Sequence, residues 1–219
     1  MDEKIKKDVV DQLFWDGRVD TSGIRVDVSD GEVSLSGDVT SFSASQAAEN
    51  DAMSIPGVRT VKNFLRITRP DITPVPGDDE IKKSIESVLK WNPYIEDAEI
   101  DIVVEEGIVR LKGTVDSPWK KERIEQIAYD IFGVVEVINQ LGVVPTRNIV
   151  DQVIAEDIAA AFERNVNIDA DVIDVKVEDG NVVLSGSLPN WSAFRAAYET
   201  ALHTAGVVSV VNDLSVSQP

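Results

Sequence analysis

The stretch DGEVSLSGDV at residues 30–39 recurs as EGIVRLKGTV at residues 106–115 and as DGNVVLSGSL at residues 179–188. In each copy a Gly follows an acidic residue, apolar and polar residues then alternate, and a second Gly follows. Alternation with a period of two predicts a strand with one buried face, and the acidic-Gly pair predicts a tight hairpin turn before it. The sequence therefore predicts the same turn and strand three times in one chain.

The similarity between the copies extends well beyond these ten residues. A shift of 76 residues lays the range 5–65 on 81–141, and a further shift of 73 lays that range on 154–214 without a gap. Almost all of the positions that are identical in the three copies hold apolar residues or glycines. Such residues specify a backbone and a core, so the repeat encodes a fold and shows no repeated reactive group.

Each copy predicts the order helix, strand, strand, helix, strand. Apolar residues four apart, as at Ile5 and Val9, lie on one face of a first helix, and two strands joined by the hairpin follow. A second helix is expected to begin at Ser41, Ser117 or Asn190, because these residue types favour a helix N-cap, and a valine-rich strand comes last. The predicted fold class is α+β, with three tandem αββαβ domains that each have a small three-stranded sheet and two helices on one face.

The predicted domains are residues 1–68, 78–145 and 150–217, and residues 69–77 form a Pro-rich linker. Glycines are expected in the hairpin turns, at the ends of the second strands and at the C-caps of the second helices, and a repeated Asn is expected to bond nearby backbone. The predicted structural residues are Gly31, Gly37, Gly57, Asn63, Gly107, Gly113, Gly133, Asn139, Gly180, Gly186, Gly206 and Asn212.

A copy of this size buries a small share of its surface, so we expect the copies to dock on one another and to be less stable in isolation. The expected docking surface is the face of each sheet that points away from the helices, where strand alternation places several apolar residues. These residues are Val103, Ile108, Ile138, Val183 and Val211.

Composition and charge narrow the possible partners and compartments. The chain has 39 acidic and 21 basic residues, and its formal net charge of −18 repels nucleic acid, so no nucleic-acid partner is expected. Its first 20 residues, MDEKIKKDVVDQLFWDGRVD, do not resemble a signal peptide, and no apolar run is long enough to cross a membrane. The chain as it stands is predicted to be cytoplasmic, and periplasmic if a signal peptide has been removed.

No pattern typical of an active site or a metal site is present. The chain has no Cys, and its single histidine, His203, has no ordered set of carboxylates beside it in the sequence. The serines lack the spacing of a nucleophile motif, and the acidic runs lack that of a calcium loop. We therefore expect a protein that is not an enzyme and that has no catalytic residue, cofactor or metal.

One basic patch stands out in this acidic chain. The middle copy gathers cations around a tryptophan in RLKGTVDSPWKKER at residues 110–123, and the candidate lipid- or partner-binding residues are Arg110, Lys112, Trp119, Lys120 and Lys121. An amphipathic ring among cations suits an anionic headgroup interface. The alternative interpretation is an ordinary helix start with lysines in water and an indole packed on its own domain.

The third strands, in PGVRTVKNFL at residues 56–65, FGVVEVINQL at 132–141 and AGVVSVVNDL at 205–214, carry a family resemblance. With the preceding glycine pairs they resemble the BON domain family, also called the transport-associated domain, as found in osmotically inducible periplasmic proteins. The resemblance implies αββαβ domains in the cell envelope, phospholipid binding, chaperone-like or scaffolding roles and, in some members, potassium binding.

Two hypotheses of function follow. The first is a non-enzymatic, stress-protective binding module that associates with envelope components, phospholipid or a client protein. The alternative is a protein that binds a small ligand or a cation, potassium or calcium, for which the acidic charge is suitable.

Overall fold

The computed structural model describes residues 1–68, 75–95, 99–147 and 149–217, and within them the predicted order of elements occurs three times. Two of the linker prolines, Pro70 and Pro74, lie outside these residues. The first repeat consists of α1 (Asp2–Trp15), β1 (Ile24–Ser29), β2 (Glu32–Val39), α2 (Phe42–Ser54) and β3 (Thr60–Ile67). The second consists of α3 (Asp78–Lys90), β4 (Glu99–Glu105), β5 (Ile108–Val115), α4 (Pro118–Tyr129) and β6 (Glu136–Val143). The third consists of α5 (Asp151–Arg164), β7 (Ile173–Glu178), β8 (Asn181–Leu188), α6 (Trp191–Leu202) and β9 (Ser209–Val216). The predicted α+β fold class is confirmed.

Contacts divide the chain into two compact units. The first unit comprises Met1–Val88, Ile102–Arg110 and Gln126–Ile138. The second comprises Leu89–Asp101, Leu111–Glu125 and Asn139–Pro219. The first and third repeats therefore belong to different units, and residues of the middle repeat belong to both.

Each repeat has one sheet whose central strand is the second strand of the hairpin, in the orders β1-β2-β3, β4-β5-β6 and β7-β8-β9. In the first repeat β1 pairs antiparallel with β2, with Val26 opposite Leu35, and β3 pairs parallel with β2. The third repeat has the same pairing. A parallel neighbour needs a crossover connection, and the second helix of each repeat supplies it.

The two helices of a repeat cover one face of its sheet because their apolar residues lie on a single side. Ile5, Val9 and Leu13 of α1 are buried in a cluster with Val33 and Leu35 of β2. The third repeat has an equivalent cluster, in which the corresponding residues of α5 are buried. The four-residue spacing and the strand alternation thus produce one hydrophobic core.

The hairpin turns have the backbone that their sequence predicts. In each turn an acidic residue with φ near 50° precedes a Gly with φ near 75°, and these residues are Asp30 with Gly31, Glu106 with Gly107, and Asp179 with Gly180. Two consecutive residues with positive φ form the type I′ turn that matches the twist of paired strands.

An aspartate at the start of each first helix, which the sequence analysis did not single out, holds the turn. Asp78 accepts hydrogen bonds from the backbone N–H groups of Glu106 and Gly107, each 2.9 Å long. Asp151 accepts from Asp179 and Gly180 in the same way, and Asp2 accepts from Asp30. These three aspartates occupy the same position in the three copies, just before the aligned range.

Replacing Asp78 with alanine is expected to lower the free energy of unfolding by about 1–2 kcal/mol, because two turn N–H groups lose their acceptor. Thermal unfolding followed by circular dichroism measures the change. The matched control is Asp79→Ala, which removes an exposed first-turn carboxylate from the same helix. Equal destabilisation by both variants would show that helix-end charge, and not the turn contact, accounts for the effect.

Two groups of glycines differ from their expected positions. We expected Gly57, Gly133 and Gly206 to cap the second helices. However, α2 ends at Ser54 with an extended C-cap at Ile55, so Gly57 lies in the following turn, with φ of 95°. The chain needs this turn to reach β3 in the parallel direction.

We also expected Gly37 to let the chain leave β2 at an angle. Instead, β2 continues to Val39, and Gly37 lies within the strand with φ of 121°, paired with Ile24 of β1.

Among the described residues, the aromatic contacts between repeats involve rings on or directly after the second helices. Phe42 at the start of α2 stacks on Tyr129 at the end of α4, with ring centroids 3.8 Å apart. Val103 and Val211, which we expected at a docking surface, keep 38% and 49% of their surface exposed. Helix-end rings are available for these contacts because the helices' apolar faces are already buried against the sheets.

Candidate binding surfaces

Two of the four cations in the basic patch predicted in the middle repeat form ion pairs. Arg110 on β5 bonds Glu105 at 2.8 Å, and the Nζ of Lys120 bonds Asp116 at 2.7 Å with the lysine side chain 20% exposed. Lys112 on β5 is exposed. Lys112 and the half-buried Lys121 show no ion pair with a described residue.

Trp119, the predicted centre of this patch, is half-buried between two other rings. Its ring stacks on that of His203, at the end of α6, with centroids 5.8 Å apart and planes 16° apart. Tyr94 meets it edge-on at 6.2 Å, and Lys120 Nζ lies 5.8 Å from its centroid. The indole therefore packs against the third repeat, an arrangement that neither sequence interpretation described.

A hydrogen bond beside this stack also joins the two repeats. The hydroxyl of Tyr198 on α6 donates to Oε1 of Glu122 on α4, at 2.5 Å. Burial raises the pKa of Glu122, and burial together with this bond raises the pKa of Tyr198. The stack and this bond make the start of α4 an inter-repeat contact.

The repeated asparagines bond within their own repeats. The Asn63 side-chain amide donates to Ser45 and Glu49 of α2, and its oxygen accepts from the N–H of Leu65. Asn139 bonds Lys121 O, Glu125 and Leu141 N–H in the same pattern, and the oxygen of Asn212 accepts from Leu214 N–H. The amides of Asn63 and Asn139 therefore tie the third strand to the second helix in the first two repeats.

Exposed aromatic rings lie at the ends of the first helices of the first two repeats. Trp15 and Trp91 are each 81% exposed, and each has an aromatic neighbour, Phe14 or Tyr94, that is 69% exposed. Phe14 and Trp15 contact edge-to-face with centroids 5.8 Å apart. Val166 lies in the equivalent loop of the third repeat and is 97% exposed.

The sequence analysis missed these two tryptophans, although one signal pointed to them. Trp15 follows the buried Leu13 by two residues, and Trp91 follows Leu89 by two. Two residues correspond to about 200° around a helix, which is the side opposite the core. The tryptophans also lie 76 residues apart, in the register of the repeat.

A cavity of about 410 Å³ lies beside the start of α6 in the third repeat, lined in part by Asn167, Asp169, Asn190 and Ser192. Asn190 already accepts from the N–H of Ala193, and Asp169 accepts from a neighbouring backbone N–H. In the part of the chain that the structure describes, no group of three or more His, Asp or Glu residues is arranged to hold a metal ion. No helix within the same residues has the length and apolarity needed to cross a membrane.

A family model described as BON domain matches residues 1–69, 77–145 and 150–218. Osmotically-inducible protein Y of Escherichia coli (strain K12) is 28% identical over 141 residues, which cover 63% of this chain and 68% of that protein. The 21 kDa hemolysin of Actinobacillus pleuropneumoniae is 28% identical over 145 residues, which cover 65% of this chain and 74% of that protein.

Among solved structures, CdsD, a structural protein of the type III secretion system of Chlamydia trachomatis, aligns over 99% of this chain and 92% of its own. The two share 15% sequence identity, and the TM-score is 0.29. A likeness at that score carries no argument about fold or function.

Proposed function

Because this chain belongs to the BON domain family and contains three copies of the domain, we propose that it is a non-enzymatic, stress-protective binding protein that attaches to phospholipid surfaces of the cell envelope. The names of its relatives, an osmotically inducible protein and a hemolysin, support a role in stress and at membranes. A periplasmic location belongs to the same proposal.

The observation that carries the proposal is the exposure of Trp15 and Trp91 at equivalent helix ends. Indole rings favour the boundary between lipid headgroups and acyl chains, where the apolar ring leaves water and the N–H stays solvated. Phe14 contacts Trp15 and enlarges the apolar area there, and Tyr94, three residues after Trp91, is also exposed. Lys90, exposed next to Trp91, adds a cation suited to a headgroup phosphate.

Electrostatics require that apolar contact supply most of the attachment energy. The net charge of −18 opposes an anionic surface, and two of the four cations in the predicted patch are engaged in ion pairs. Salt screens the long-range repulsion, with a Debye length of about 8 Å at physiological ionic strength. Binding through the rings should therefore persist or strengthen as salt increases, whereas binding through the patch should weaken.

We expect Trp15→Ser/Trp91→Ser to reduce co-sedimentation with phosphatidylglycerol vesicles by about tenfold or more, because each lost ring removes roughly 1–2 kcal/mol of interfacial transfer energy. The matched control is Phe64→Ser, which removes a ring that is 61% exposed on β3 of the first repeat. Equal binding by the double variant and the wild type would contradict a role for the helix-end rings.

The same assay separates the other hypotheses. Lys112→Glu/Lys121→Glu tests the basic patch without breaking the Lys120–Asp116 ion pair. Loss of binding in this variant alone would assign lipid contact to the patch. No binding by the wild type to any vesicle would overturn the lipid proposal and favour a client protein. A melting temperature that rises specifically with potassium or calcium would favour the cation alternative.

A further inference from the structure

The first repeat contains a polar cluster where α1 ends against α2, and neither of the other repeats has an acidic or basic residue at the equivalent positions. Its members are Gln12 on α1, Asp16 and Arg18 in the turn after α1, and Asp51 on α2. The position of Asp51 is occupied by the buried Ile127 in the second repeat and by Thr200 in the third.

Asp51 is buried without a complete set of hydrogen-bond partners. Its residue surface is only 9% exposed, and its Oδ1 accepts from the Gln12 amide at 3.3 Å. Its Oδ2 is buried and has no donor among the described residues. The carboxyl group of Asp16 faces it within interaction range. A buried carboxylate oxygen that faces a second carboxylate is strongly unfavourable when both groups are ionised.

Asp16 is the ionised member of this pair. It accepts hydrogen bonds from the backbone N–H of Arg18 at 2.8 Å and from the Arg18 guanidinium, and its side chain is 11% exposed. These bonds with Arg18 lower the pKa of Asp16 to about 2. Burial raises the pKa of Asp51. Asp16 and Arg18 are the charged groups that act on Asp51, and Gln12 is neutral.

We propose that Asp51 holds a proton on Oδ2 and donates it toward Asp16, and that this bound proton fastens the end of α1 to α2. The proton gives the orphaned oxygen a partner and removes one of two adjacent negative charges. When Asp51 loses it, two carboxylates face each other in a half-enclosed space, and the contact between the helices weakens. The first repeat thereby carries a pH-responsive contact between its two helices.

The proton also bears on the exposed rings, because Trp15 directly precedes Asp16. This consequence rests on the proposed function: the protonated state holds the helix end that presents Phe14 and Trp15, and its loss loosens that end. A carboxyl group whose pKa is raised by folding stabilises the folded state fully at pH values below its pKa in the unfolded chain, about 3.9. This stabilisation is lost as the pH rises through its pKa in the folded chain. The helix end is therefore held most firmly in mildly acidic solution.

The direct test is a ¹³C NMR titration of aspartate carboxyl groups in the full-length chain, without lipid. We expect Asp51 to titrate at a higher pH than the ordinary aspartate value of about 3.9, because its carboxyl group is buried. Titration of Asp51 at or below that ordinary value would overturn the proposal. This measurement needs no variant, and it stands or falls independently of membrane binding.

A second test compares melting temperatures of the wild type, Asp51→Asn and Asp11→Asn between about pH 4 and pH 8. The asparagine amide can donate to Asp16 as the proposed proton does. The melting temperature of Asp51→Asn, relative to that of the wild type, should therefore rise by about 3 °C or more as the pH increases over this range. Asp11→Asn removes the same formal charge and should show no such gain. Parallel curves for Asp51→Asn and the wild type would contradict the proposal.

Discussion

Replacing Gly37 with alanine is expected to unfold the first repeat, with a loss of about 4 kcal/mol. Gly37 has φ of 121°, a conformation that residues with a Cβ rarely adopt, and an added Cβ would lie 1.9 Å from the carbonyl oxygen of Gly23. Gly37 is paired with Ile24 of β1, and Gly23 directly precedes that strand, so the two groups cannot separate without disturbing this end of the sheet. Strain and overlap of this kind approach the whole stability of a small domain.

The matched control is Gly17→Ala in the same repeat. Gly17 does not have a positive φ in the restricted range, and nothing lies within 4 Å of its added Cβ. We expect the free energy of unfolding of this variant to lie within about 0.5 kcal/mol of the wild-type value. Urea unfolding followed by circular dichroism and by NMR signals of the first repeat measures both variants. Similar unfolding midpoints for the two would refute the close approach at Gly37.

Replacing Trp119 with alanine is expected to destabilise the chain by about 2 kcal/mol. The variant removes the ring that stacks on His203 and contacts Tyr94, and it leaves a gap beside the Glu122–Tyr198 hydrogen bond. Loss of a partly buried aromatic side chain and its ring contacts accounts for that magnitude. Because the contact joins two repeats, the third repeat should unfold at a lower urea concentration in this variant.

The control for this prediction is Trp91→Ala, which removes an indole that is 81% exposed. Its free energy of unfolding should change by less than about 0.5 kcal/mol, because few contacts are lost. Signals of α6 in NMR, followed through urea unfolding, report on the third repeat. If Trp119→Ala and Trp91→Ala have the same effect, the stack does not stabilise the association between the repeats.

The candidate surfaces show where sequence reasoning about function stops. RLKGTVDSPWKKER predicts a cationic patch around a ring, and the charges are present, but Arg110 and Lys120 have acidic partners and Trp119 faces His203. His203 comes from another repeat, and no local period in the middle repeat indicates it. Trp15 and Trp91 lie outside the apolar spacing that defines the helices, so an analysis of that spacing passes over them.

The buried carboxyl of Asp51 shows the same limit. In the sequence, Asp51 is one more acidic residue in an acidic chain. Its burial depends on Gln12 and on the turn at Asp16. Only the packing of α1 against α2 brings these groups together. The pKa of a group depends on its surroundings in space, which the composition of its own helix does not encode.

The sequence by itself determined the αββαβ fold of each repeat, because helix faces, strand faces and hairpin turns depend on residues within a few positions of one another. The type I′ turn needs Gly31 and its counterparts, and the cores follow from apolar spacing that repeats in register. Tertiary structure alone decided that Trp119 packs against His203 of another repeat and that the carboxyl group of Asp51 is buried beside Gln12. Those properties depend on contacts between segments far apart in the chain, and their energies arise only when such segments pack together.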